Sequence, residues 1–279
     1  MIITRVDLAG YNYHEVNSDY LFKPGLNMIV GDNASGKTTI INSIISGFPA
    51  ETFQKQWRGF GTRHDFSIHH PHQEPVIAIE FQSKDETYCI IKKIKKDGIE
   101  CKLYVINERR ERSLVCEGAE AIERTKQYSK EIIYLTSEEI QSMRHHLEIL
   151  NPDEQSLPEF QMLLNKLLQK YDSFGYWSDK QVAVVEGQTV VIDGNESSVP
   201  LAAGAISFLV FMSIVASVKM NKSCPILIVD DFCHSMDNSR IDAVRQCFSE
   251  ILDSQVILTS HSMHLHDFEV ESHMIHLNR

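Results

Sequence analysis

The six cysteines, at positions 89, 101, 116, 224, 233 and 247, include no C-x-x-C pair, and no secretory leader opens the chain, where Met1-Ile-Ile-Thr-Arg-Val-Asp7 reads as a strand. A disulfide framework is thereby excluded, and reduced thiols in a cytoplasmic protein are the expectation. Positive charge is scarce: 27 Lys and Arg stand against 38 Asp and Glu, a net charge of -11. Such a surface disfavours broad nonspecific binding to nucleic acid or to anionic membranes. Repeats, heptads and low-complexity tracts are missing, which excludes solenoids and long coiled coils. Only Val199–Val218 is both charge-free and long enough to cross a bilayer. It carries Pro200, Gly204, Ser207, Ser213 and Ser217 in a chain of mean hydropathy -0.20, and is read as a buried core helix. No membrane association is expected.

What is present is concentrated in one segment. Residues 31–39 read Gly-Asp-Asn-Ala-Ser-Gly-Lys-Thr-Thr, which fits the phosphate-loop pattern G-x-x-x-x-G-K-[ST] through Gly31, Gly36, Lys37 and Thr38. A loop of small residues lets the backbone N–H groups of Gly31, Asp32, Asn33, Ala34, Ser35 and Gly36 wrap a triphosphate. The helix beginning near Lys37 and continuing through Thr39 points its positive end at the same phosphates. Lys37 is expected to reach the outer phosphates, and the Thr38 hydroxyl to ligate Mg²⁺. The apolar run Leu26–Val30 before the loop and Thr39–Ile45 after it give the strand–loop–helix context that the motif needs.

The 279 residues are enough for one large domain with lobes. Strands are expected at 2–8 and 26–30 around a Tyr- and Asn-rich turn. A loop-like stretch follows at 58–75, then alternating residues 76–82 and two strands, 88–96 and 100–106, around Asp97-Gly98, a hairpin signal. Helices are expected at 119–130, 137–150, 158–171 and 239–252. Further strands are expected at 132–135, 225–230 and 255–259, with a pair in 181–192 around Glu186-Gly187. The domain plan is a nucleotide-binding core of 1–48 and 195–279, interrupted by an antiparallel β subdomain at 58–118 and a helical lobe at 119–180.

Ile226-Leu-Ile-Val-Asp-Asp231 is a buried strand ending in two carboxylates. Downstream of a phosphate loop, Asp230 is expected to hold the Mg²⁺ shell and Asp231 to orient or deprotonate the attacking water. His261 directly follows the strand at 256–259, at the tip of a neighbouring strand, within reach of a γ-phosphate.

These motifs together resemble the ABC-type P-loop ATPases of the RecF/SMC branch, including compact ATPases of bacterial DNA repair and anti-phage defence. The resemblance covers about residues 1–48 and 195–270. Its carriers are Tyr11-Asn12, the run from Lys23 to Thr39 with Asn33 in the branch's usual position, Ile228-Val-Asp-Asp231, Ser235-Met236-Asp237 in place of the D-loop, and Thr259-Ser-His261. The resemblance implies an α/β fold: a P-loop NTPase with an ABC-ATPase-like head, a mixed core sheet, the antiparallel β subdomain and the inserted helical lobe. It implies that Leu201-Ala202-Ala203-Gly204-Ala205 occupies the signature position, so that Ala202, Gly204 and Asp237 of one subunit close over ATP held by another. The implied unit is a head-to-tail homodimer or higher oligomer that hydrolysis lets part. Tyr11 and Asn12 are positional candidates for contacts to adenine.

Two departures stand out. Ala202 replaces the signature serine, and Asp231 is one methylene shorter than the family's usual Glu. Losing one hydrogen bond to a charged phosphate removes about 1.5–3 kcal/mol of grip, and a retracted base activates water poorly. Slow turnover with binding intact is therefore expected.

His64, His69, His70 and His72 are read either as metal ligands or as a solvated loop. Eight cations between 92 and 112 (Lys92, Lys93, Lys95, Lys96, Lys102, Arg109, Arg110, Arg112) oppose four acids. That hairpin is read either as the wet face of an amphipathic sheet or as a DNA or RNA track. Two functions stay open: an ATP hydrolase serving DNA repair or defence, or a hydrolysis-poor ATP sensor holding a partner effector such as a nuclease. A small-molecule kinase or GTPase fails, because it leaves the span from Lys37 to Asp230 and the His261 element unexplained, and no N-K-x-D motif is present. No nuclease or protease constellation is found.

Overall fold

Strand β3 (Leu26–Gly31) is the second strand of a five-stranded sheet. Its order is β13 (Ser272–Leu277), β3, β12 (Val256–Ser260), β11 (Ile226–Val229), β8 (Ile132–Leu135), and every neighbouring pair is parallel. The computed structural model describes residues 1–10, 18–48, 74–95, 98–136, 156–172, 175–177, 180–185, 188–192, 203–220, 226–232, 236–251, 253–261 and 272–277. The expected helix at 137–150 lies outside them.

Parallel strands are covered on both faces, so their residues are apolar throughout and alternate between two cores. In β11, Leu227 and Val229 face one core, and Ile226 and Ile228 the other. In β12, Val256 and Leu258 divide from Ile257 in the same way. On the first face lie α3 (Leu157–Tyr171), α4 (Ala203–Met220) and α5 (Asn238–Cys247), which a short 3-10 turn, Phe248–Ile251, extends. The second core holds α1 (Lys37–Gly47) through Ile40, Ile41, Ile44 and Ile45, together with a second sheet.

That second sheet is antiparallel and six-stranded, in the order β2 (Ser18–Leu21), β1 (Ile2–Ala9), β4 (Val76–Ser83), β5 (Glu86–Lys95), β6 (Gly98–Ile106), β7 (Arg112–Glu117). A short helix, α2 (Ala119–Lys126), follows it. The expected β subdomain of 58–118 thus takes in two strands from before the phosphate loop. The cause is packing: Ile3, Val6 and Leu8 share a core with Ile77, Ile79 and Phe81. Conversely β8, inside the expected helical lobe, is the edge strand of the parallel sheet. Strands β9 (Gln181–Val185) and β10 (Gln188–Ile192) form a separate antiparallel pair.

Gln255 fastens the two sheets together. Its amide Nε2 donates to Ile3 O at 2.7 Å and to Lys23 O at 3.0 Å, and its Oε1 accepts from Ile3 N at 2.8 Å. The side chain thus serves the backbone as a strand partner would.

The apolar run expected as a core helix over 199–218 is helical from Ala203, in α4, which is buried nearly all round; residues 199–202 lie outside the described residues. Phe211 meets Phe232 and Phe248 edge-on at 6.3 and 6.2 Å. Each such aromatic contributes about 1.5–3 kcal/mol by leaving water. Among the described residues, no helix is long and apolar enough to cross a membrane. Cys89, Cys101, Cys116 and Cys247 are buried free thiols.

Candidate nucleotide site

The carboxyl ends of β3, β12 and β11 lie side by side, which brings the phosphate loop, His261 and the two acids to one edge of the sheet. In open parallel sheets that edge is where ligands bind. The approach to the loop is set by Asn27, fully buried in β3. Its Oδ1 accepts from Lys23 N at 2.8 Å, and its Nδ2 donates to Lys23 O and Gly25 O at 2.8 and 3.1 Å.

Gly31 ends the strand, and the loop turns through two left-handed residues, Ala34 (φ 61°) and Gly36 (φ 99°). A Cβ on Gly31 would lie 2.7 Å from Ser35 Oγ and 2.8 Å from Leu277 O, so only glycine fits. Asp32, Asn33 and Ala34 are exposed at the tip, Ser35 is half-buried, and Thr39 is buried where the helix enters the core. Gly36 caps α1 without a side chain, and the first helical bond runs from Ile40 N to Gly36 O at 3.1 Å. The N–H groups of residues 37–39 therefore have no carbonyl within the helix and crown its positive end. Lys37 folds back over the loop, donating from Nζ to Gly31 O and Asp32 O, both at 2.7 Å. Burial pushes its pKa down, against the pull of Asp230, Asp231 and Asp32.

Past β11 the chain turns sharply. Asp230 N donates to Leu135 O at 2.9 Å, still pairing with β8. Asp231 then takes a left-handed conformation (φ 57°), which costs a side-chain-bearing residue about 1–2 kcal/mol. Its N–H donates to Thr259 Oγ1 at 2.8 Å, and Phe232 N donates to Thr259 O at 3.3 Å. The Thr259 hydroxyl in turn donates to Asp230 Oδ1 at 2.5 Å. Asp230 also shares a hydrogen bond with Thr38. Burial raises the Asp230 carboxyl, the bonds from Thr259 and Thr38 oppose that shift, Asp231 adds to it, and Lys37 counters it. His261 Nδ1 lies 3.0 Å from Asp231 Oδ1.

The sequence-predicted Lys37, Thr38, Asp230, Asp231 and His261 are thus gathered at one place from three segments: Lys37 and Thr38 at the start of α1, the two acids after β11, and His261 after β12. Tyr11, Asn12, Leu201 and Ala202, and the histidines 64, 69, 70 and 72, lie outside the described residues. Gly204 is buried in the first turn of α4. Asp237 caps α5, accepting from Arg240 N at 3.0 Å and pairing with the Arg240 guanidinium. Thr259 had no role assigned from sequence, since nothing in the chain's pattern says that its hydroxyl faces the neighbouring strand's acids. Among the described residues, no group of three or more His, Cys, Asp and Glu converges as a closed metal cage. A hydroxyl and one carboxylate beside a phosphate cradle suit Mg²⁺, which keeps several waters and takes few protein ligands.

The cations of 92–112 are largely engaged. Lys92 is buried and donates to Ser46 O, at the far end of α1. Arg110 and Arg112 bind the buried Glu80 carboxylate at 2.9 and 3.2 Å. Lys95 and Lys102 share Glu100, Lys102 at 3.0 Å. Lys93 and Arg109 are exposed, and Lys96 lies outside the described residues.

The model of a family described as "AAA domain" matches residues 5–190. Three solved structures share the fold. An SMC head bound to the C-winged-helix domain of ScpA is 14% identical, with TM-score 0.70, and the match covers 94% of this chain and 91% of that one. The SMC head domain from Thermotoga maritima is 17% identical, with TM-score 0.61, over 94% and 90%. An SMC head with an extended coiled coil, bound to the C-terminal domain of ScpA derived from Pyrococcus furiosus, is 14% identical, with TM-score 0.56, over 94% and 90%. No curated protein matches the sequence. Fold, phosphate loop and family match agree: the chain has the fold of SMC head domains and belongs to the AAA domain family.

Proposed function

We propose that the protein binds ATP with Mg²⁺ and hydrolyses it slowly, as a head-to-tail dimer that ATP closes and hydrolysis opens. The observation that carries this reading is the convergence of Lys37, Thr38, Asp230 and the uncapped start of α1 on one strand edge. In it, the loop amides and Lys37 hold the phosphates, Thr38 and Asp230 hold the metal, and His261 stands beside Asp231. The bound metal supplies charge neutralisation at the phosphates. Asp231 orients or accepts a proton from the attacking water, and its short side chain beside His261 supports slow turnover.

Ala202, Gly204 and Asp237 of a second copy complete the site in this reading, and the setting is cytoplasmic, in DNA repair or anti-phage defence. Two of the three SMC heads of similar fold are bound to ScpA domains, which supports a protein partner here too. The second reading, an ATP sensor that controls an effector such as a nuclease, draws support from the short side chain of Asp231, whose Oδ1 lies 3.0 Å from His261 Nδ1. Comparing Lys37→Ala with Asp231→Ala separates the two readings. In an ATPase cycle both changes abolish function in cells; in a sensor only the lysine change does. A DNA or RNA track on the 92–112 hairpin has weaker support, given the engagement of its cations with Glu80, Glu100 and Ser46.

A further inference from the structure

We infer that Thr259 is a positioning residue for both acids of the site: one hydroxyl aims the metal-binding carboxylate of Asp230 and locks the backbone turn that presents Asp231. This inference rests on the ATP–Mg²⁺ reading above and names a residue that the phosphate-loop motif does not include.

A hydroxyl has one proton to give and two lone pairs to receive with. Thr259 uses both capacities on adjacent residues of another strand. It donates to Asp230 Oδ1 at 2.5 Å and accepts from Asp231 N at 2.8 Å. Its carbonyl takes Phe232 N at 3.3 Å, so three successive residues of the acidic turn are referred to one residue of β12. Thr259 is 1% exposed and branched at Cβ, so its side chain has little freedom to turn away.

The geometry requires this support. Asp231 sits at φ 57°, which a residue with a Cβ holds only when its surroundings fix it. Once β11 has ended, the Asp231 N–H points away from the β8 partner that still serves Asp230. Without the Thr259 hydroxyl, the turn can relax toward extended backbone, which swings the Asp231 carboxylate away from His261. The same loss frees the Asp230 carboxylate to rotate away from Thr38. Serine preserves donor and acceptor but loses the methyl that fixes the rotamer. Valine preserves the shape and loses both bonds.

The test compares wild type, Thr259→Val and Thr259→Ser. Hydrogen exchange at the Asp231 amide reads the clamp directly and needs no nucleotide. Calorimetry with a slowly hydrolysed ATP analogue, with and without Mg²⁺, reads the site. In wild type the Asp231 amide is expected to be protected, and in Thr259→Val to exchange at the rate of an open turn. Thr259→Val is further expected to keep metal-free nucleotide binding. It should lose about 10–100-fold in Mg²⁺-dependent tightening and in kcat, with KM little changed, as for residues that orient a metal's ligands. Thr259→Ser should recover most of each loss. An unprotected Asp231 amide in wild type, or a valine variant with wild-type Mg²⁺ dependence and kcat, overturns the inference. A protected amide in a wild-type protein that binds no nucleotide overturns the ATP reading instead, and with it any catalytic purpose for the clamp.

Discussion

The Lys92 ammonium, buried between the antiparallel sheet and α1, donates to the carbonyl of Ser46 in the last turn of the helix that begins at the phosphate loop. It supplies a cation where the helix dipole is negative, and a donor to a carbonyl at the helix end. Lys92→Met, which keeps the volume, should destabilise the fold by about 1–2 kcal/mol, and Lys92→Ala by about 2–4 kcal/mol, because the latter also leaves a cavity. Urea denaturation checks both. Burial lowers the Lys92 pKa, so the unfolded chain holds this proton more tightly. Wild-type stability should therefore gain from this group as pH rises toward the ordinary lysine value of 10.5, a gain that Lys92→Met lacks.

Glu250 has the opposite sign. Lys170 and Lys219 bind its carboxylate, Tyr171 Oη donates to it at 2.9 Å, and its pKa is held down to about 2. Its contribution is complete above the ordinary value of 4.5 and is lost as pH falls from there to about 2. Glu250→Gln should cost roughly 1–3 kcal/mol at neutral pH and flatten the stability profile in that acid window. Thermal unfolding between pH 2 and pH 7 reads the difference.

Asp231 allows stability and activity to be separated. Asp231→Gly should leave the fold unchanged or up to about 1 kcal/mol more stable, because glycine accepts the left-handed turn. Asp231→Ala keeps the strain and should gain nothing. Both should lower ATP turnover by about 10²-fold or more if the carboxylate positions water. Calorimetric unfolding and a phosphate-release assay give the two readouts.

Gly31→Ala places a methyl against Ser35 Oγ and the backbone carbonyl of Leu277. Backbone cannot yield as a side-chain end can. A loss of about 1–3 kcal/mol in stability is expected, together with nucleotide affinity reduced by about tenfold or more through the displaced loop amides. Denaturation and nucleotide titration of the same preparation measure both.

Much of the architecture was legible because it rests on local patterns. The unbroken apolar runs Ile226–Val229 and Val256–Leu258, the phosphate loop and the apolar run of α4 each announce their own environment. What the chain conceals depends on distant partners. Ser18–Leu21 is short and polar and becomes a strand only by pairing with β1; Ser272–Leu277 carries two histidines and becomes one beside β3. The sequence leaves the hairpin cations open between a solvated face and a nucleic-acid track, because nothing local shows that Glu80 binds Arg110 and Arg112 from another strand or that Lys92 turns inward toward α1. In the site, the acids and the lysine were readable as motif letters. The Thr259 bridge was not, since it exists only once β12 lies beside β11.

The most direct test of the central claim is isothermal titration of the purified protein with ATP in the presence and absence of Mg²⁺, beside Lys37→Ala. The account predicts saturable binding that Mg²⁺ strengthens and that the lysine change abolishes. Absence of binding in wild type, or equal binding by Lys37→Ala, would contradict it.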